Sequence, residues 1–507
     1  QAGGGGFWQN TEDGRYVNGL ASWNNVVIES EAMYQAGEPA FTRVSEPSAE
    51  GRLWMLSGVA GGFQPKYDLP AATSPDKRMY EIAAPLMQWH KKNEAFLSNR
   101  APVATIGVVW SQSSADFYGR EVAATLVGTP YYGMLRALYH NRIPCVPVDI
   151  DNLDRDSEHL TALVLPNIGS MSDEQCATVT RFVQRGGGLV ASGITSLYDT
   201  NGDARADFGL APVFGTHLAG PAPDRMFASI AQPDAGAAGN SGRGRGAGNG
   251  RGAAGRGAAV VAAPGRAGGR GGRGRGGALH SYLRLRPELR ATMSGPHKPN
   301  EPHDPGVRHP VLAGFEATDI LPFGSLLVPA FHADANRSVL CTFIPVFPTL
   351  PTDAVWMREE RTDIPGLIVG AYGKGKVAFM PADLDRRYGL DPLPDHGRLL
   401  GNLMRWVAGD SIPLTVDGIG DVGVYLYRQG NRLILHLVNE TGADNQTEPI
   451  NEYSAMGPFN VSIRLPAGIK GQSARSLVAE RPVTIKTGKD ITFTVPQVRD
   501  HEVIVIE

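Results

Sequence analysis

Two glutamates, Glu29 and Glu31, are the residues best placed in this sequence for acid–base chemistry. They lie at the polar end of the apolar run in segment 23–35 (WNNVVIESEAMYQ), which is typical of a short buried strand with a polar end. General acid–base catalysis needs a carboxyl group held where a reacting group can reach it. Residues two apart on one strand do not straddle a substrate, so a second carboxyl group must come from elsewhere. A structural alternative stays open, in which Glu29 is bound to an arginine such as Arg43.

Aromatic and polar residues flank the same region and are candidates for contacting a substrate. Trp23 and Asn24 open the segment that holds the glutamates, and Phe63 and Gln64 belong to a Gly-Gly-Phe-Gln loop further along. Aromatic rings stack on apolar faces of ligands, and amides hydrogen-bond to hydroxyl groups. The predicted pocket residues are Trp23, Asn24, Arg43, Phe63 and Gln64. For the two aromatic residues, packing in the core is an equally open alternative.

Other motifs argue against thiol, metal and cofactor chemistry. The cysteines, Cys145, Cys176 and Cys341, are far apart, match no metal-ligand spacing and are predicted to be buried free thiols. His90 and Glu94 lie one helical turn apart but lack a third ligand, which favours a solvated helix face over a metal site. We therefore predict neither a metal nor a cofactor.

The elements that must position these residues lie in residues 1–98. Three strand-like runs are followed by one long helix, predicted over 74–97 with Ser74 as its N-cap. The runs are 23–35, 39–44 and 52–65. Such a set matches the last part of a β/α barrel whose first part is absent. Because barrel active sites form at the carboxyl ends of the strands, we expect Glu29 and the loop 61–64 to face the site.

Residues 99–410 alternate apolar runs with helical periods, which predicts a parallel sheet wrapped by helices, as in flavodoxin or a glutamine amidotransferase. An amidotransferase nucleophile is a cysteine at a sharp turn after a strand. The run 189–196 offers serine and threonine instead, so we predict a non-catalytic scaffold. Lys374 and Lys376 lie in a predicted glycine-rich hairpin, because the spacing of a phosphate-binding loop is absent.

Inside this region, residues 235–277 are rich in glycine and arginine and contain no acidic residue. Little apolar area is available there to offset backbone entropy, which predicts a disordered insertion. Arginine-rich segments can bind RNA, but this one has no aromatic residue to stack on bases. Nucleic-acid binding is therefore not expected.

Residues 411–507 contain short runs that alternate apolar and polar residues between turns, which predicts a small antiparallel β-sandwich. The predicted fold class is therefore α/β: a partial β/α barrel, a parallel-sheet domain and a β-sandwich. A net charge of −3 over 507 residues indicates no general attraction to nucleic acid or membranes, and no apolar run is long enough to predict a transmembrane helix. The start at Gln1 fits a processed terminus or a fragment. A periplasmic or extracellular location is favoured over a cytoplasmic one.

Several segments resemble family 42 β-galactosidases and related bacterial glycoside hydrolases. These segments are DGRYVNGLASWNN, RLWMLSGVAGGFQP, LPNIGSMSDEQC and RGGGLVASGITSLYD. The order of a barrel end, an amidotransferase-like domain and a small β domain is similar as well, and the middle domain of the family is a trimerisation domain. Two features depart from the family. The front of the barrel is missing, and the loop after GGFQP reads KYDLPA where relatives carry tryptophan and histidine.

The resemblance implies a carbohydrate-active protein that hydrolyses glycosidic bonds by carboxylate acid–base catalysis. In the family a nucleophilic glutamate ends a late barrel strand, and Glu29 lies at a comparable place. A carbohydrate substrate and a homo-oligomer, a trimer in the family, are also implied. Because the barrel is incomplete, a non-catalytic carbohydrate-binding or oligomerisation module remains the alternative.

Overall fold

The computed structural model describes most of the chain in eight stretches, which are 7–30, 44–67, 75–220, 281–289, 307–330, 333–348, 351–443 and 450–507. The predicted Gly/Arg-rich insertion lies outside them, as do Glu31 and Arg43. The helices are α1 (Phe7–Leu20), α2 (Ser48–Ala60), α3 (Arg78–Leu97), α4 (Thr129–His140), α5 (Leu153–Asp156), α6 (Asp173–Gln184), α7 (Ala211–Phe214), α8 (Leu384–Leu390) and α9 (Pro394–Ala408).

Twenty strands accompany these helices in the described stretches. They are β1 (Val27–Ser30), β2 (Gln64–Tyr67), β3 (Ala101–Pro102), β4 (Ile106–Trp110), β5 (Cys145–Asp149), β6 (Ala162–Leu165), β7 (Gly188–Ser192), β8 (Tyr282–Leu285), β9 (Ile320–Pro322), β10 (Arg337–Ile344), β11 (Pro365–Tyr372), β12 (Gly375–Met380), β13 (Leu414–Asp417), β14 (Val422–Gln429), β15 (Arg432–Asn439), β16 (Phe459–Arg464), β17 (Ala474–Ser476), β18 (Lys486–Thr487), β19 (Asp490–Val495) and β20 (His501–Ile506). They form four sheets, and the fold is mixed α/β as predicted.

The amino-terminal segment has the order α1-β1-α2-β2-α3, in which β1 and β2 pair in parallel from Val27 opposite Gln64 to Ser30 opposite Tyr67. A parallel pair needs a crossover connection, and the chain from β1 to β2 includes α2. The prediction of a strand over 52–65 was wrong for most of that run, because Ser48–Ala60 is a helix. Nine of the 13 residues of α2 are buried, in contact with α1, α3 and β15, so its apolar run shows no period that separates helix from strand.

Helix α3 is confirmed, with Ile82 and Leu86 buried on its inner face. It begins at Arg78 with Lys77 as its N-cap, so the prediction of Ser74 as the N-cap was wrong. The sequence pattern of residues 7–20 does not predict helix α1. Its apolar residues are few, and polar residues such as Asn18 are buried on it, which removes the usual amphipathic pattern.

The central sheet has nine strands in the order β5-β4-β6-β7-β12-β11-β10-β8-β9. The first five run parallel, and the other four continue as antiparallel neighbours. Helices α4, α8 and α9 pack on one another, and α9 covers β6, β7 and β12. The predicted hairpin is confirmed, since Tyr372 pairs with Gly375 across a turn in which Gly373 has a φ of 57°.

The carboxyl-terminal part is a sandwich of two antiparallel sheets, as predicted. One sheet has the order β13-β16-β19-β18 and the other β17-β20-β15-β14-β3. Side chains such as Leu435, Phe459 and Ile504 fill the space between the sheets. The second sheet also has a buried outer face, on which Tyr427 and Val505 pack with Phe7 and Leu53 of the amino-terminal segment. The sandwich therefore supports the β1–β2 segment directly.

Candidate functional site

The candidate site lies at the carboxyl ends of β1 and β2. Within the parallel pair, Glu29 is opposite Lys66, and the strands end together at Ser30 and Tyr67. This places the backbone of Glu29 one residue before the end of β1, on the side where β/α barrels carry their active sites. The segments that follow both strands, with Glu31 and Arg43, lie outside the described residues.

Hydrogen bonds fix the rim of this end. The Tyr67 hydroxyl donates to the carbonyl of Met79, 2.9 Å away in the first turn of α3. Asp76, just before that helix, accepts from the backbone amide of Ser45 at 2.9 Å and pairs with Arg78 at 2.6 Å. The Arg78 hydrogen bond and the backbone amides hold the pKa of Asp76 well below its usual range. Asp76 is thus an anchored carboxylate at the candidate end.

The predicted pocket residues that the structure describes lie at the opposite, amino-terminal end of the strands. Trp23 and Asn24 precede β1, while Phe63 immediately precedes β2 and Gln64 opens it opposite Val27. With about 3.3 Å per residue, Gln64 is roughly 7 Å along the strands from the level of Glu29. The structure therefore does not bring these four residues together with Glu29 at one strand end.

Their contacts show packing roles. The ring of Phe63 is fully buried and lies so close to Gly14 of α1 that any side chain there would collide with it. The Gln64 side-chain amide donates to the carbonyl of Leu97 at 3.1 Å, which ties β2 to the end of α3. The half-buried Trp23 ring lies 6.3 Å from that of Tyr427 in an edge-to-face contact, and Asn24 is exposed. Phe63 therefore packs in the core, which was the structural alternative to a pocket role.

A buried polar cluster closes this amino-terminal end against the sandwich. The Arg100 guanidinium lies 4.7 Å from the centre of the Tyr427 ring, donates to the carbonyl of Val59 and contacts the His436 ring. The Tyr427 hydroxyl donates to the carbonyl of Ala60 at 2.6 Å. Burial lowers the pKa of Arg100 to about 10 and, with the nearby Arg100 charge, holds the pKa of His436 well below its usual range. Arg100, Tyr427 and His436 thus form a buried structural cluster between the amino-terminal end of the strands and the sandwich, which we call the seal.

Helix α1 joins the β1–β2 segment to the central sheet. Arg15 and Glu12 form a buried ion pair, with one guanidinium nitrogen 2.8 Å from both carboxylate oxygens. Asp13 accepts from the Tyr132 hydroxyl at 2.6 Å, and burial raises the pKa of Asp13 to about 6. These partners account for the buried acids of α1, and they argue for an anchoring role.

The carboxyl ends of the central sheet hold a second group of polar residues, all buried. Ser192, at the end of β7, donates to Asp385 and accepts from the Asn167 amide at 3.0 Å. Burial, reinforced by the charge of Asp383, raises the pKa of Asp385 to about 7. Asp383 in turn pairs with Arg386 at 2.6 Å. Every one of these groups has a partner inside the protein, which agrees with the predicted scaffold role.

The cysteines are free and buried, as predicted. Burial raises the pKa of Cys145 and Cys341 to about 12 and that of Cys176 to about 11, so these thiols are poor nucleophiles. Within the described stretches, no group of three or more histidine, cysteine or acidic side chains is arranged to hold a metal ion. In the same part of the chain, no helix combines the length and apolar character needed to span a bilayer.

Comparison with solved structures gives matches along almost the whole chain. An α-L-fucosidase, isoenzyme 2 from Paenibacillus thiaminolyticus, matches with a TM-score of 0.62 at 15% identity, over 97% of this chain and 62% of that one. A β-galactosidase from Bacillus circulans sp. alkalophilus matches with a TM-score of 0.62 at 13% identity, over 99% and 58%. A family 42 β-galactosidase from G. stearothermophilus gives 0.61 at 10% identity, over 99% and 56%.

The class that these comparisons define is a fold shared with glycoside hydrolases, and the resemblance to family 42 β-galactosidases is confirmed at the level of the fold. The chain spans about three fifths of the length of each of these enzymes. No family model and no curated protein sequence matches the chain. At identities of 10–15%, these matches show a shared fold, whereas an activity depends on the residues of the site.

Proposed function

We propose that this chain forms the carboxyl-terminal portion of a glycoside hydrolase, with β1 and β2 as the last strands of its β/α barrel. The single observation that supports this most is the parallel pairing of β1 and β2, with Glu29 one residue before the end of β1. The fold shared with β-galactosidases and a fucosidase agrees with it. The remaining barrel strands come from outside the described residues in this proposal.

In the proposed reaction, water cleaves a glycosidic bond between two carboxyl groups. One carboxylic acid protonates the departing oxygen, and the other group either attacks the anomeric carbon or activates the water that does so. Glu29 supplies one of these groups, and Glu31 is the weaker candidate for the same role. Arg43 remains a proposed pocket residue. The second carboxyl group belongs to a different strand end, because residues on one strand do not lie across a sugar.

The test is a hydrolysis screen with aryl glycosides of galactose, fucose and other sugars, run on the protein expressed from its complete reading frame. Glu29→Gln keeps the size of the side chain but removes its acid–base and nucleophilic capacity, so we expect kcat to fall by at least about 100-fold. Glu94→Gln, an exposed position on α3, is the matched control and should retain full activity. Full activity of the Glu29→Gln variant would refute the assignment.

A non-catalytic carbohydrate-binding or oligomerisation module is the second candidate. It is favoured by one observation, that Phe63, Gln64 and Trp23 serve packing at the amino-terminal end of the strands. Absence of hydrolysis by the full protein, together with retained sugar binding, would select this candidate. Light scattering on the purified protein tests the proposed homo-oligomer, for which the trimer rests on the family resemblance.

A further inference from the structure

A broad groove on the carboxyl-terminal sandwich, far along the chain from Glu29, has no role in the proposed hydrolysis. It has a volume of about 1010 Å³ and is lined by residues of β13, β16, β18 and β19, by the loops at 478–484 and 496–500, and by residues of β17 and β20. This volume lies at the upper end of the range for pockets that bind small organic ligands, so several sugar units fit.

Three cations line the groove and are exposed: Arg481, Lys486 and Arg499. In the described part of the chain, no carboxylate forms an ion pair with any of them. Their backbones are nevertheless held in place. The Arg481 carbonyl accepts from the amide of Ser476 at 2.9 Å, and the Arg499 carbonyl accepts from the side chain of Asn439 at 2.7 Å. The backbone positions of Arg481 and Arg499 are thus fixed.

Two of the three acidic residues of the lining, in contrast, are already engaged within the protein. Asp500 pairs with Arg52 at 2.5 Å and also accepts from His501, and these contacts hold the pKa of Asp500 far below its usual range against the effect of burial. Glu502 is buried and accepts from the Ser476 hydroxyl at 2.8 Å. Asp417, the third acid of the lining, is exposed on β13. The groove therefore offers positive charge to a ligand.

Short polar side chains lie on the floor between these charges, together with apolar residues such as Val461 and Pro496. Asn460, Thr492 and Thr494 point outward because their neighbours on the same strands, such as Phe493, are buried in the sandwich core. Thr494 and Asn460 hydrogen-bond to each other at 3.0 Å across the two strands. Hydroxyl and amide groups on a flat sheet match the many hydroxyl groups of a sugar chain.

We propose that this groove binds an anionic oligosaccharide, whose carboxylate or sulfate groups pair with Arg481, Lys486 and Arg499. Hydroxyl groups of the same chain hydrogen-bond to the threonine and asparagine floor. The polar floor favours a sugar over a nucleic acid, because single-stranded nucleic acids are held by stacking on exposed aromatic rings. Phe493 is the aromatic residue of the lining, and it is buried.

Isothermal titration with the complete protein tests the proposal, using three hexasaccharides as probes. Hexagalacturonate carries carboxylates, a chondroitin sulfate hexasaccharide adds sulfates, and cellohexaose is the uncharged control. We expect binding of at least one anionic probe, weaker binding in 0.5 M NaCl (roughly, a Debye length below 5 Å), and weaker or no binding of cellohexaose. The two anionic probes separate carboxylate from sulfate recognition.

Charge removal then locates the site. The triple variant Arg481→Gln, Lys486→Gln, Arg499→Gln should lower the affinity for the anionic probe by about tenfold or more, since exposed ion pairs contribute modestly and together. A control triple variant, Lys91→Gln, Lys374→Gln, Lys470→Gln, removes the same charge from exposed positions outside the groove lining and should leave affinity unchanged. All six positions are exposed, so both proteins should unfold at the wild-type temperature.

Three outcomes would overturn the proposal: no binding of either anionic probe, equal affinity in the groove variant, or equal losses in the two triple variants. Tighter binding of a single-stranded oligonucleotide than of both acidic sugars would also refute it and identify a nucleic-acid surface. The Glu29→Gln variant should bind the anionic probes like wild type. A failure of the proposed hydrolysis can therefore be distinguished from a failure of the proposed ligand binding in the groove.

Discussion

The two ends of the β1–β2 pair are built in different ways. At the amino-terminal end, the polar groups are buried and engaged within the protein, as Arg100 is with Val59 and Tyr427 is with Ala60. At the carboxyl-terminal end, an acidic residue, Glu29, lies one position before the strand terminates, and the chain continues into the segments that the candidate site requires. One end serves stability, and we propose that the other serves chemistry.

This difference explains why similar residue types have different roles in one small segment. Barrel folds commonly separate stability at the amino-terminal ends of the strands from catalysis at the carboxyl-terminal ends. Trp23, Phe63 and Gln64 have the composition of a sugar pocket, but they precede or open the strands. Their positions therefore place them at the amino-terminal end of the strands, beside the seal. Glu29 has the opposite position, and it alone of the described candidates keeps the proposed role.

The largest effect is expected from Arg100→Ala, which breaks the seal. The substitution removes one of the two hydrogen bonds that the Val59 carbonyl accepts, the other coming from the Gly62 amide at 3.1 Å. It also empties the space that the guanidinium and its stem occupy over Tyr427. We expect the free energy of unfolding to fall by roughly 3 kcal/mol, measured by urea unfolding. Arg475→Ala is the matched control, because its guanidinium lies 4.4 Å from the Phe96 ring but is exposed. Equal losses for the two variants would show that the seal has no special role.

The seal should also make stability depend on pH through His436. Burial keeps this ring neutral in the folded protein, whereas in the unfolded chain its pKa is about 6.5. Below that pH the unfolded state binds one more proton, so stability falls as the pH is lowered, by about 1.4 kcal/mol per unit. Urea unfolding at pH 7 and pH 5 should show about 2 kcal/mol less loss in His436→Gln than in wild type. The same loss in both proteins would exclude His436 as the source.

A smaller effect is expected from Asn18→Ala, which loosens the junction of the two strands. The Asn18 amide donates to the carbonyl of Gly62 at 3.1 Å, and its oxygen accepts from the Val26 amide at 3.5 Å. Loss of these buried bonds should lower the free energy of unfolding by about 1–2 kcal/mol, measured in the same assay. Asn24→Ala, at an exposed position nearby, should change it by less than about 0.5 kcal/mol. A larger effect at Asn24 would assign it to the seal.

The smallest effect on stability is expected at the functional end. Glu29→Gln should change the free energy of unfolding by less than about 0.5 kcal/mol while abolishing hydrolysis, since catalytic groups are seldom needed for folding. Thermal unfolding and the aryl glycoside assay on one preparation provide both readouts. A loss of more than about 1 kcal/mol with hydrolysis retained would support the structural alternative, in which Glu29 binds Arg43.

The sequence by itself determined the element types wherever a period was visible. Alternation identified the strands of the sandwich, such as Phe459–Arg464, and glycine at position 373 identified the hairpin of the central sheet. It could not identify α2, because an apolar run that is buried on all sides looks the same in a helix and a strand. Nor could it identify α1, on which a buried polar residue such as Asn18 has its partner, Gly62, in a distant part of the chain.

Only the tertiary structure decided at which end of the strands each candidate lies. The residue types of Trp23, Phe63 and Glu29 all fit a sugar site, but the register of β1 with β2 separates Glu29 from the aromatic residues. The sequence does not reveal the groove on the sandwich either, because Arg481 and Lys486, on one short segment, join Arg499 at one surface only in the folded protein. A local sequence pattern shows the periodicity and the chemistry of its residues. Which side chains meet, and which charges stay unpaired, depends on contacts between residues far apart in the sequence.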